Sequence, residues 1–207
     1  MSDDWLAALE FTDHFILTPG PISEEMRNSL KTYFSEHEIA ELCIGVALFH
    51  GFSKMLIALG REPEEMDTTI VPTPHLPESS TVESVYVTND FSHLFTYLPD
   101  MESRWAVLEE SLLSLNALPE KVLSLSKHRM SQVLGVAHAA SAPVGTYTDD
   151  EQFIRSVSES FVFDIRSISS STRERIIESY GSQGLLQLMF GMALYDGIFR
   201  MEALSIA

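Results

Sequence analysis

The side chains able to move a proton or hold an oxygen are few, and most stand among apolar neighbours. A neutral imidazole works as an acid or a base near pH 7, which makes His138 and His50 candidate catalytic groups. Asp196 belongs with them, because a titratable group on an apolar helix is costly unless it is paired or set in a pocket. Tyr195, its neighbour, can donate a hydroxyl to a substrate oxygen. Arg129 shares a helix face with Val122, Leu125, Val133 and Val136. An arginine there needs a carboxylate, from a substrate or from an Asp or Glu of the chain itself. His128 reads as solvent-facing. Cys43, the one cysteine, lies mid-face on an apolar helix and reads as a small core hydrophobe rather than a nucleophile. The 7 histidines show no HxxxH or HExxH spacing, so no metal is expected. No phosphate loop or dinucleotide fingerprint suggests a cofactor either.

Composition narrows the partners. The chain of 207 residues has 30 acidic against 13 basic residues and a formal charge of -17. Phosphate binding needs clustered Lys and Arg, so nucleic acid and anionic membranes are disfavoured. No continuous apolar run reaches the roughly 18 residues of a membrane span, and the start Met1-Ser2-Asp3-Asp4 is unlike a signal peptide. A single cysteine excludes an internal disulfide and a CxxC redox pair and fits a reducing cytoplasm. The expected partner is a small-molecule substrate.

The elements that must position these groups are helices. Ile39, Leu42, Cys43 and Val46 recur at helical spacing, and Ile44, Leu48, Met55 and Leu59 cover another face. A helix apolar nearly all round is predicted to be buried and central. It should start at Ser35 with Glu38 completing a capping box and stop at Gly60. Residues 67–83, rich in Thr, Ser and Pro, read as a linker between a unit at 1–66 and a longer unit at 84–207. Val85–Val87 is the one strand candidate.

The sequence also resembles itself. Shifted by 146, residues 11–57 align without a gap on 157–203, with ten identities in 47 positions. Phe15 meets Phe161, Ile22-Ser23 meet Ile168-Ser169, and Arg27 meets Arg173. Leu42, Gly45, Ala47, Leu48, Gly51 and Met55 meet Leu188, Gly191, Ala193, Leu194, Gly197 and Met201. We read an internal duplication of a three-helix segment, its second copy at 149–207. His50 and Asp196 are equivalents under this shift, as are Phe49 and Tyr195, and Lys54 and Arg200. Glycine inside a helix costs roughly 1 kcal/mol relative to alanine, so Gly45 and Gly191 predict close approach of a neighbouring helix.

The run Ile22-Ser23 … Phe34-Ser35-Glu36-His37-Glu38-Ile39-Ala40-Glu41-Leu42 … Ala58-Leu59-Gly60 resembles the C-terminal half of the carboxymuconolactone decarboxylase / alkylhydroperoxidase D-like family. Leu194-Tyr195-Asp196-Gly197 … Ala203-Leu204 resembles the same half. Leu98-Pro99 … Leu112-Leu113 and Leu118-Pro119 resemble the family's N-terminal half. In that register Arg129 falls on a common arginine, and Gln132 and Gly135 fall just before the redox motif. Val136 and Ala139 replace the two cysteines of CxxC. Ser124 and Pro143 replace the Glu and His of the peroxidase members, and His138 matches a His sometimes found inside the motif. The resemblance implies an all-α bundle and a degenerate member without thiol peroxidase activity.

The expectation is therefore a cofactor-independent, all-α enzyme acting on a small cyclic carbonyl or carboxylate compound. Its chemistry would be decarboxylation, dehydration, isomerisation or cyclisation. His138, His50, Asp196 and Tyr195 would be its catalytic groups; Arg129, Ser124 and Gln132 would bind substrate. The rival is a non-catalytic helical module that binds a ligand or assembles. A core packed dry around positions 50, 138 and 196 favours the module, and a polar-lined cavity favours the enzyme. A monomer or homodimer is expected.

Overall fold

The computed structural model describes residues 1–61, 91–136 and 147–204, and every regular element among them is helical. The expected linker, the strand candidate Val85–Val87 and the positions of His138, Ala139 and Pro143 lie outside the described residues. In chain order the helices are α1 (Asp3–Leu17), α2 (Glu24–Tyr33), α3 (Glu36–Ala58), α4 (Pro99–Ser114), α5 (Glu120–Val133), α6 (Asp149–Phe163) and α7 (Ser170–Ala203). Short 3-10 turns, Ser92–Phe95 and Ile165–Ser167, precede α4 and α7.

Local chemistry sets these bounds. The Ser35 hydroxyl accepts from the Glu38 N–H at 3.3 Å while the Ser35 N–H donates to the Glu38 carboxylate at 2.8 Å, the predicted capping box. Gly60, just past the end of α3, has φ of 73°, as expected of a helix stop. Ser23 and Ser169 cap α2 and α7 through the N–H groups of Met26 and Thr172. Gly181, with φ of 73° and ψ of 172°, breaks α7 into two arms. Under the internal repeat it is the counterpart of Ser35, where the chain turns from α2 into α3. The same shift carries both ends of α1 onto both ends of α6.

α3 packs most extensively along α7. A Cβ built on Gly51 would lie 2.3 Å from the Ala193 carbonyl oxygen, and one on Gly197 would lie 3.0 Å from that of Ala47. The helices therefore cross backbone to backbone, a separation only glycine permits. α5 packs on α6 and α7, and the α4–α5 turn is fastened to α7 by Gln187. Its buried side-chain oxygen accepts from the Ala117 and Leu118 N–H groups at 2.9 Å, and its amide donates to the Leu112 carbonyl at 2.7 Å. The leucines of this hairpin cover Gly191, whose added Cβ would stand 3.0 Å from Leu123 and 3.4 Å from Leu112.

The helix expected to be buried on all sides is not. α3 buries Ile39, Cys43, Ala47, Gly51, Lys54 and Ala58, but Phe49 is 80% and Leu56 49% exposed. A Cβ on Gly45 would meet no atom of the described residues within 4 Å. The helix enclosed all round is the second arm of α7, since the one α4–α5 hairpin lies there. The repeat counterpart of Gln187 on α3 is Glu41, a carboxylate that accepts hydrogen bonds but has no amide N–H to donate to a carbonyl.

Candidate functional site

Spacing by four residues puts His50 and Lys54 on one face of α3, and Asp196 and Arg200 on one face of α7. Where the glycines bring the helices together, all four meet. Lys54 Nζ lies 3.0 Å and Arg200 Nε 3.1 Å from the same oxygen, Oδ2 of Asp196. The His50 ring nitrogen Nε2 lies 3.3 Å from that oxygen without making a hydrogen bond to it, a weaker contact than the two cations make. Asp196 is 0% exposed, and its Oδ1 is likewise without a hydrogen-bond partner among the described residues.

The cations also close helix ends. Lys54 Nζ donates to the Val162 carbonyl at 3.0 Å, near the C-terminus of α6. Arg200 Nη1 donates to the Phe15 and Ile16 carbonyls at 2.9 and 3.0 Å, near the C-terminus of α1. Carbonyls there lack helical partners and carry the negative end of the helix dipole. The arrangement is reciprocal under the repeat, for Val162 is the counterpart of Ile16 as Arg200 is of Lys54. Lys54 also lies 5.1 Å from the centroid of the Phe161 ring.

Titration follows from this enclosure. Burial pulls the His50 pKa down to about 4, with Asp196 opposing, so the imidazole is neutral. Burial pulls the Lys54 ammonium down to about 8, again against Asp196. For Asp196 burial acts upward, but Arg200 and Lys54 outweigh it and hold the carboxyl well below the usual range. A carboxylate so held, out of contact with solvent, is suited to pairing cations rather than to exchanging protons.

The other candidates lie elsewhere. Tyr195 faces α4, where its hydroxyl donates to Glu109 Oε1 at 3.3 Å; burial and then Glu109 raise its pKa. Lys127 Nζ lies 3.1 Å from the same Glu109 oxygen and 4.7 Å from the Tyr195 ring centroid. Arg129 takes the internal option, pairing with Glu159 of α6 at 3.0 Å. Ser124 and Gln132 are exposed on α5. The structure thus unites His50 with Asp196 and leaves Tyr195, Arg129, Ser124 and Gln132 apart from them. His128, expected to face solvent, is buried, and burial followed by Arg155 and Arg129 lowers its pKa. The missed participants are Lys54, Arg200, Glu109 and Lys127. The signal for the first two was in the sequence, because they follow His50 and Asp196 by four residues and align with each other under the repeat.

An apolar hollow of about 80 Å³ lies between α3, α4 and α7 and is walled by Ile44, Phe52, Trp105, Leu108 and Leu194, with Arg104 as its charged residue. A second, about 120 Å³, is lined by Glu36, Cys43, His93, Tyr97 and Met201. Burial pushes the Cys43 thiol up to about 12. Among the described residues no group of three or more His, Cys, Asp or Glu side chains is placed to hold a metal ion. α3 has the length and apolar composition of a membrane span, and in this fold it packs along α7. No family model, curated protein or solved structure matches the chain.

Proposed function

We propose that this chain is a helical interaction module built from two copies of one three-helix unit, the second of which carries the α4–α5 hairpin. The observation that carries this reading is the closure of the Asp196 cluster. The two ionisable groups best placed for chemistry, His50 and Asp196, are enclosed with Lys54 and Arg200, and the carboxylate is 0% exposed. The cluster ties α3 to α7 and both to the ends of α1 and α6, which is structural work. The duplication is supported by the shared bounds of α1 and α6, the equivalent caps Ser23 and Ser169, and the reciprocal contacts of Gly51 and Gly197. The resemblance to the carboxymuconolactone decarboxylase / alkylhydroperoxidase D-like family makes the module a degenerate branch of it, with buried Val136 where the first redox cysteine would stand.

The test is a search for turnover. Small cyclic lactones, enones and keto acids are incubated with the protein and followed by proton NMR. The module reading expects no consumption. Consumption that His50→Gln abolishes without altering the circular dichroism spectrum would overturn it.

A second reading, a cofactor-independent enzyme acting by acid–base chemistry on such compounds, is favoured by one observation. Tyr195, Glu109 and Lys127 form a hydrogen-bonded set, and the Glu109 and Lys127 side chains retain contact with solvent. In that case Glu109→Gln, rather than His50→Gln, removes turnover.

A further inference from the structure

We infer that the outer face of α3 is a self-association surface on which a second copy of this chain packs, helix against helix. The inference rests on the reading of the chain as an interaction module. Leu42, Gly45, Phe49, Phe52, Leu56 and Leu59 follow one another at alternating steps of three and four, the spacing of a coiled-coil seam. They run for about 26 Å along the helix at roughly 1.5 Å per residue. Phe49 and Leu56 are exposed, and Gly45 is a notch that no described residue fills.

The equivalent face of α7 shows what such a seam receives. Leu188, Gly191, Tyr195 and Ile198, the repeat counterparts of Leu42, Gly45, Phe49 and Phe52, are all buried. There the notch at Gly191 holds Leu123 and Leu112 from the α4–α5 hairpin. The described chain has two such faces and one such hairpin: on α3, Leu42, Phe52 and Leu59 rest partly on their own core, Phe52 stacking on Phe190 at 5.7 Å, while no described helix covers Gly45, Phe49 and Leu56.

Two features select a second copy as that partner. The first is pattern. If two α3 helices run antiparallel about a two-fold axis midway between Phe49 and Phe52, Leu42 meets the partner subunit's Leu59. Phe49 then meets the partner subunit's Phe52, and Gly45 meets the partner subunit's Leu56. Apolar side chains face apolar ones along the seam, and the leucine-on-glycine contact at Gly191 is reproduced twice. The second is charge. Copies carrying -17 repel, yet residues 42–60 contain none of the 30 carboxylates. This face lets two copies meet without opposed carboxylates, and screening by salt should favour the meeting.

Sedimentation velocity between about 1 and 200 μM tests the proposal, at roughly 0.15 and 0.5 M sodium chloride. We expect a reversible dimer that tightens with salt. Phe49→Glu and Leu56→Glu should each weaken it by about 100-fold or more, equivalent to about 2.7 kcal/mol, with thermal unfolding monitored to show that the fold persists. Val107→Glu, at an exposed position on α4, should dimerise as the parent does. A parent that stays monomeric throughout, or a dimer indifferent to both substitutions, overturns the proposal. So does a monomer that instead floats with phosphatidylcholine vesicles. A monomeric parent that consumes none of the cyclic compounds overturns the α3 pairing alone; a dimer whose turnover requires His50 overturns the module reading alone.

Discussion

Gly51 sits so close to Ala193 that a single added carbon would lie 2.3 Å from the Ala193 carbonyl oxygen. Backbone cannot yield as the end of a flexible side chain can. Gly51→Ala must therefore push α3 away from α7, loosening the most extensive helix interface in the fold and the ion cluster beside it. Overpacking of this kind costs about 3 kcal/mol. Gly45→Ala is the contrast. With no described atom within 4 Å, the new methyl gains only the helix preference for alanine, about 1 kcal/mol. Urea unfolding at a concentration where the protein is monomeric should move the two midpoints in opposite directions. Equal midpoints would refute the close crossing.

The shared oxygen of Asp196 makes the cluster unequal in its parts. Asp196→Asn leaves Lys54 and Arg200 buried without a counter-charge, a change that typically costs about 3–5 kcal/mol. Lys54→Met also removes a charge, but leaves the Asp196–Arg200 pair intact. The double variant should be less damaging than the sum of the singles, since removal of Lys54 relieves part of the exposed imbalance. A double-mutant cycle by chemical denaturation measures that coupling. Additive losses would show that Lys54 and Asp196 act independently.

Cys43 lies on the buried face of α3, where burial pushes its thiol up to about 12. Alkylation proceeds through the thiolate. Iodoacetamide at about pH 8 should therefore leave the folded protein unlabelled over hours and label it fully in denaturant, as intact mass spectrometry would show. Rapid labelling of the folded chain would mean that α3 opens readily or that the thiol is exposed.

Much of this fold is legible in the sequence where one local rule decides the outcome. Ser35 with Glu38, and Gly60 after Leu59, mark the ends of α3 by hydrogen bonding and backbone conformation alone. The internal repeat also aligns residues that the fold uses alike, such as Ser23 and Ser169. Burial was less legible, because it depends on what lies opposite. Gly45 and Gly191 look the same in sequence, yet only Gly191 receives the α4–α5 leucines. Gln187, whose counterpart on α3 is the carboxylate Glu41, is one of the groups that fasten the hairpin to α7. The candidate site was half legible for a similar reason. His50 and Asp196 stood out as titratable groups among apolar neighbours, but which helix supplied their partners depended on the α3–α7 crossing. Arg129 has a carboxylate as expected, and only tertiary packing could name it as Glu159.

The enclosure of His50 fixes a pH dependence of known sign. In the unfolded chain its imidazole takes up a proton near the ordinary value of 6.5; in the folded protein, burial delays this to about 4. Between these values the unfolded state binds the extra proton, so stability falls as pH falls from about 6.5 to about 4. Above this window His50 is neutral in both states and contributes no slope; below it, the imidazole is charged in both. The loss across the window is on the order of 3 kcal/mol. Asp196 stays ionised in the folded protein throughout, since Arg200 and Lys54 outweigh burial and hold its carboxyl far lower, and its own contribution begins to fall only near the ordinary value of 3.8, at the lower edge of this window. Comparison with His50→Gln isolates the share that belongs to this imidazole. The parent's unfolding free energy should fall more steeply than the variant's between pH 6.5 and 4, with parallel curves above pH 7. Curves parallel across the whole range would show that His50 is not held neutral in the folded protein.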